Sequence, residues 1–212
     1  MSEIVVQKFG GTSVGTVDRI DSVAEIIKNA SKSNQIVVVV SAMGGETNRL
    51  VDLAKAFGDD PDKREFDALV STGETVSSAL LTMALHSKGI KAKSFSASQI
   101  SMRTTSSYSK AKILDVDAKK ILDVIDSDTI PIITGFQGVT EGGDVTTLGR
   151  GGSDTTAVAI AAQIDAVRCD IYTDVDGIFT TDPGVVPNAK KLDSITMEEM
   201  LELAGQGAKV VQ

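Results

Sequence analysis

The sequence predicts an α/β fold, a three-layer αβα sandwich with a largely parallel central sheet. Two observations carry this prediction. Apolar runs of strand length alternate with longer amphipathic stretches along most of the chain. One run, Ile36–Val40, is unbroken and β-branched, as a strand buried on both faces requires. The 212 residues suffice for one large domain with a substantial core, and residues 1–212 read as one domain without a linker or repeat.

In chain order, Val5–Phe9 reads as a strand. Val17, Ile20, Ala24 and Ile27 follow helical spacing up to a polar break at Asn29–Asn34. After Ile36–Val40, a helix is expected from about Thr47 to just before Phe57. A long helical region covers Glu65–Ser87, interrupted at Ser71-Thr72-Gly73-Glu74. Ile90–Phe95 is the next strand, and the Ser/Thr-rich Arg103–Lys112 is expected to be a mobile excursion. Asp115–Asp126 is a helix and Ile130–Gly135 a strand. Phe136–Leu148 reads as a hairpin turning at Glu141-Gly142-Gly143-Asp144. Ser153–Ile164 is a small-residue helix, Val167–Thr173 a strand, and Thr196–Leu203 a short capped helix.

Composition narrows the function. The net charge is -8 and there is no Lys/Arg-rich run, which argues against nucleic acid as a partner. No apolar run approaches membrane-spanning length, so no membrane partner is expected. The single cysteine, Cys169, forbids an intrachain disulfide, and no signal-peptide pattern is present; both predict a cytoplasmic protein. His86 is the only histidine and reads as a surface residue of a helix, so a His/Cys metal site is excluded and no metal-ligating set is assigned.

Three motifs carry chemistry. Lys8-Phe9-Gly10-Gly11-Thr12-Ser13 lies where a strand turns into a helix. Its glycines let backbone N–H groups approach an anion, and Lys8 can neutralise a transferring phosphoryl group. The plainer reading is a tight turn with a solvated lysine. Gly149-Arg150-Gly151-Gly152-Ser153-Asp154 again leads into a helix. Arg150 suits a planar carboxylate. Asp154 reads either as a helix cap or as a group that orients Lys8 or the attacking group. The third motif, Thr173–Pro183, brings Asp174, Asp176, Asp182 and Phe179 to the end of a strand, where open α/β sheets bind ligands; a polar turn is the alternative. Two smaller features precede the second motif: Thr47-Asn48 at a helix start, and Glu74, a carboxylate able to pair with an α-ammonium group. A P-loop, a G-x-G-x-x-G fingerprint and the protein-kinase signatures are missing.

In this order, with Gly135-Phe136 and Gly207-Ala208-Lys209, the motifs resemble the amino acid kinase family, and within it the aspartate kinases. The resemblance runs along nearly the whole chain. It implies phosphorylation of the L-aspartate side chain by ATP with Mg²⁺, the entry step to lysine, threonine and methionine. It implies catalytic roles for Lys8 and Asp154, and an aspartate site of Thr47, Glu74, Arg150, Gly152 and Ser153. The ATP site would comprise Lys8, Phe9, Gly10, Gly11, Ser13, Thr173, Asp174, Phe179, Asp182, Gly184 and Lys209. Gly184 departs from the pattern, standing where the family has an arginine. The resemblance further implies a catalytic domain lacking its C-terminal end and its ACT-type regulatory domains, with a homo-oligomer or a regulatory subunit as partner. The alternatives are a silent nucleotide-binding or subunit-interaction remnant, or a glutamate, acetylglutamate or uridylate kinase.

Overall fold

The computed structural model describes residues 3–174, 177–181, 184–186, 188–196, 198–200 and 202. The chain divides into two compact units, Met1–Thr173 and Asp174–Gln212.

In the first unit, β1 (Ile4–Phe9) leads through a turn to α1 (Val17–Ala30), whose Thr16 cap accepts from the Arg19 amide. β2 (Gln35–Val40) contains the unbroken β-branched run Ile36–Val40, every residue of which is buried, as expected. Then come α2 (Glu46–Lys55), α3 (Lys63–Val70), α4 (Thr72–Ser87) and β3 (Ala92–Phe95). The helical region breaks only at Ser71, whose carbonyl accepts a hydrogen bond from the buried Gln137 side chain. By length and composition alone, Lys63–Ser87 taken together is long and apolar enough to cross a membrane, which differs from the sequence expectation; half of its most apolar stretch is buried inside the fold.

β4 (Arg103–Thr104) and β5 (Ile113–Asp115) follow, then α5 (Ala118–Asp126), β6 (Ile130–Thr134), β7 (Gln137–Val139), β8 (Val145–Thr147), α6 (Gly152–Gln163) and β9 (Arg168–Tyr172). β3-β6-β2-β1-β9 form one sheet, parallel at every pairing. Alternating side chains of β1 and β2 enter two separate cores. Val5, Phe9, Val38 and Val40 pack with Ile20, Ile27, Leu81 and Leu85 of α1 and α4. Val6, Val37 and Val39 pack with Ile121, Ile125, Ala157 and Ile160 of α5 and α6. Each fully buried aliphatic side chain contributes about 1.5–3 kcal/mol, so both helix layers are held by burial along the whole sheet. This is the three-layer sandwich the alternation predicts.

A second sheet, β5-β4-β7-β8, contains the expected hairpin, β7 antiparallel to β8. Of its other two strands, β4 opens the segment expected to be mobile, Arg103–Lys112, and β5 follows directly after it. That segment is anchored: Thr104 Oγ1 meets Thr146 Oγ1 at 2.6 Å, and Ser109 is bonded to Asp67.

In the second unit, Phe179 and Lys191 form an antiparallel bridge, flanked by bonds from the Thr180 amide to the Lys190 carbonyl and from the Leu192 amide to the Ile178 carbonyl. Residues 198–200 and 202 are helical. Thr196 and Glu199 cap that turn reciprocally: the Glu199 amide donates to Thr196 Oγ1, and Glu199 Oε2 accepts from the Thr196 amide.

Candidate active site

Three strands of the parallel sheet end beside one open cavity of about 360 Å³, on the edge where α/β sheets bind ligands. Lys8 and Gly11 come from the end of β1 and its turn, Ser41–Gly45 from the turn after β2, and Phe136 from the turn after β6. First-turn residues of three helices also line it: Thr47 of α2, Glu74 of α4, and Gly152, Ser153 and Asp154 of α6. Helix N-termini carry partial positive charge, so the cavity favours anions without any excess of lysine or arginine.

Lys8 is 7% exposed, on the α6 side of β1. Its Nζ lies 2.7 Å from Asp154 Oδ1, an ion pair whose angles miss hydrogen-bond geometry. Asp154 is the third residue of α6, and no side chain caps that helix; Gly151, at φ 70°, occupies the cap position. Asp154 thus lies beside Lys8 and not at the cap position of α6.

Glu74 enters from α4, on the opposite face of the sheet. It is 3% exposed; Oε1 accepts the Ala42 amide at 3.0 Å, and Oε2 is buried without a hydrogen-bond partner. Burial pushes its carboxyl up to about 7, and the Ala42 amide opposes the shift only in part. Close approach makes this geometry possible. A Cβ on Gly73 would stand 2.8 Å from Ala42 Cβ, and one on Gly11 would stand 3.0 Å from the Ala42 carbonyl.

Arg150 is exposed at the cavity and makes no ion pair with another described residue. Phe136 holds a left-handed backbone, φ 67°, which is unusual for an aromatic residue. Its amide donates to Thr156 Oγ1 at 3.2 Å, which keeps it against Gly152.

The structure brings together Lys8, Gly11, Thr47, Glu74, Arg150, Gly152, Ser153 and Asp154. Of the other expected residues of the first unit, Phe9, Gly10, Ser13 and Thr173 do not line the cavity. Phe9 is fully buried and stacks on Tyr172 with centroids 4.5 Å apart. Gly10 donates its amide to the Tyr172 carbonyl at 3.1 Å, and a Cβ there would stand 3.5 Å from Lys8 Nζ, so it offers close approach rather than a free N–H. The Ser13 amide closes the turn onto the Gly10 carbonyl. Thr173 is exposed after β9. Asp174, Phe179 and Gly184 belong to the second unit, and Asp182 and Lys209 lie outside the described residues. The sequence-predicted site omits Phe136 and the Gly44-Gly45 turn, although each follows a buried strand at the ligand-binding edge. Among the described residues no three His, Cys, Asp or Glu side chains cluster as a metal site.

A model of the amino acid kinase family matches residues 3–212. The aspartate kinase of Pseudomonas putida is 55% identical over 210 residues, which is 99% of this chain and 51% of that protein. The chain thus spans about half the length of the curated relatives it matches. Among solved structures, the aspartate kinase of Synechocystis is 48% identical with a TM-score of 0.84, covering 98% of this chain and 35% of that one. E. coli aspartokinase III in complex with aspartate and ADP is 33% identical with a TM-score of 0.90, covering 99% and 58%.

Proposed function

Because the chain belongs to the amino acid kinase family, we propose that it serves an aspartate kinase, phosphorylating the side-chain carboxylate of L-aspartate with ATP. A carboxylate oxygen attacks the γ-phosphorus, the bond from that phosphorus to the β,γ-bridging oxygen breaks, and the electron pair leaves with ADP. The acceptor carboxylate ordinarily titrates at about pH 3.9 and is ionised at neutral pH, so no general base is required. Catalysis then rests on alignment and charge neutralisation.

The observation that carries this reading is the Lys8–Asp154 pair in one cavity with the unpartnered oxygen of Glu74. Lys8, held by Asp154, neutralises the transferring group. Glu74 Oε2 takes the α-ammonium of aspartate, Arg150 its α-carboxylate, and Thr47, Gly152 and Ser153 complete the pocket. Gly10 and Gly11 let the phosphates approach, with Phe9 and Ser13 shaping that turn. Thr173, Asp174, Phe179, Asp182, Gly184 and Lys209 are assigned to the nucleotide. Mg²⁺ would arrive on the nucleotide, held mainly by phosphate oxygens and water with at most one carboxylate. It would offset phosphate charge.

ADP release in a coupled assay tests the proposal. L-Aspartate should be turned over in preference to glutamate, N-acetylglutamate and UMP. Preference for any of those three assigns the site to another acceptor; no turnover with ATP binding intact by calorimetry makes the chain a silent nucleotide-binding module. Lys8→Ala should lower kcat by about 10²–10³-fold, the loss typical of removing a charge-stabilising group, with an unchanged circular dichroism spectrum.

A further inference from the structure

Asp67 is a fully buried carboxylate outside the cavity, on the inward face of α3 beside Val70. Its oxygens take four donors from two distant segments. Oδ2 accepts the amides of Ser109 and Thr147, each at 2.8 Å. Oδ1 accepts the hydroxyls of the same two residues, at 3.0 and 2.9 Å. One oxygen thus receives both amides and the other both hydroxyls, and a buried carboxylate so satisfied is a strong, directional anchor.

Both anchored segments lead to Arg150. Thr147 ends β8, three residues before it, and the Thr147 carbonyl accepts the Ala111 amide at 3.0 Å. Ser109 is held in a left-handed conformation, φ 64°, that its side chain does not favour. Its carbonyl stands 3.2 Å from where a Cβ on Gly149 would be, so it forms the floor under that glycine. The Leu148 amide closes the third side on the Phe136 carbonyl at 3.0 Å.

We propose that Asp67 is a positioning residue for the substrate loop: by clamping Thr147 and Ser109 it fixes the backbone from which Arg150 grips the acceptor's carboxylate. This rests on the aspartate kinase reading of the cavity. The clamp does not involve the Lys8–Asp154 pair, which is carried by β1 and α6. Asp67 therefore acts on acceptor binding and not on phosphoryl transfer. The neighbouring Arg64–Asp144–Tyr108 network joins the same elements but is exposed, and exposed pairs contribute little.

Asp67→Asn replaces one acceptor oxygen with a donor that faces donors. In the full chain it should raise the aspartate KM about tenfold or more, as losing charge-assisted buried bonds does, with the ATP KM and kcat within about twofold. The increase should vanish in an Arg150→Ala background, because the two changes act on one contact. Arg64→Ala should leave the aspartate KM within about twofold. Amide exchange, which needs no activity, should rise at residues 147–151 in Asp67→Asn and stay unchanged in α1, β1 and β2.

An unchanged aspartate KM with unchanged exchange overturns the proposal. So does a joint rise of both KM values with a fall in kcat, which marks a merely structural residue. If Asp67→Asn does not fold, Thr147→Val removes one hydroxyl donor and should show the same KM split at smaller size; no split there also overturns it. If the wild-type chain does not phosphorylate aspartate, the functional reading fails, and the exchange measurement alone decides whether Asp67 holds the loop.

Discussion

Two buried carboxylates differ in their surroundings at the residue scale. Asp67 has four donors; Glu74 has one, and an oxygen left over. With its carboxyl pushed up to about 7, Glu74 is only partly ionised at neutral pH before ligand binds. An ammonium group needs the ionised form, so aspartate affinity should rise with pH. For a pKa near 7 the ionised fraction grows about tenfold between pH 6 and 8, and the aspartate KM should fall by the same factor. The ATP KM, measured in parallel, should not follow. Glu74→Ala should raise the aspartate KM and flatten its pH profile; a profile that keeps its slope in this variant assigns the titration to another group. Lys8, Asp154 and Glu74 are legible in sequence because each stands close to glycines where a helix or strand begins or ends. Asp67 is not, because Lys63–Val70 is half charged and reads as a solvent-facing turn of helix. The spacing of Asp67 to Val70 is the available signal: three residues apart, they share a face.

Elements meet at this edge with no room for side chains. A Cβ on Gly135, at the end of β6, would stand 2.6–2.9 Å from three atoms of Ser153, one of them backbone. Gly135→Ala must therefore push the start of α6 away from the sheet, and Asp154 with it. Such overpacking costs about 1–3 kcal/mol, so Gly135→Ala should lower the denaturation midpoint and weaken aspartate binding together. Gly142→Ala, at the tip of the β7–β8 hairpin with only Thr140 Oγ1 at 3.7 Å, should change neither. A Gly135→Ala variant as stable and as active as the wild type would show that α6 can shift without consequence. The inner strands β1, β2 and β6 are readable because apolar runs report double-sided burial directly. β4 and β5 are not, since strands of two or three residues carry no period, and the place of β4 depends on Thr104 meeting Thr146 across the sheet.

For the whole molecule, the unpartnered oxygen of Glu74 is a liability to stability. Its folded pKa lies above the unfolded value, so the folded chain binds more protons between pH 4.5 and about 7. Stability from this group is full below that window and is lost as pH rises through it, by about 3 kcal/mol at most. Glu74→Gln should be more stable than the wild type above pH 7, with the difference closing near pH 5 in denaturant titrations. Equal stability at every pH would mean that the carboxylate finds another partner when ionised. The sheet order also sets a schedule for synthesis. β1, made before the other strands of its sheet, is an inner strand whose second neighbour is β9, near the end of the first unit. On a ribosome adding about 5–20 residues per second, one edge of β1 waits roughly 8–30 s for that neighbour. Lys8 and Asp154 come together only after α6 has emerged, so no nascent chain shorter than that can hold the ion pair, and one edge of β1 stays unpaired by β9 throughout the interval.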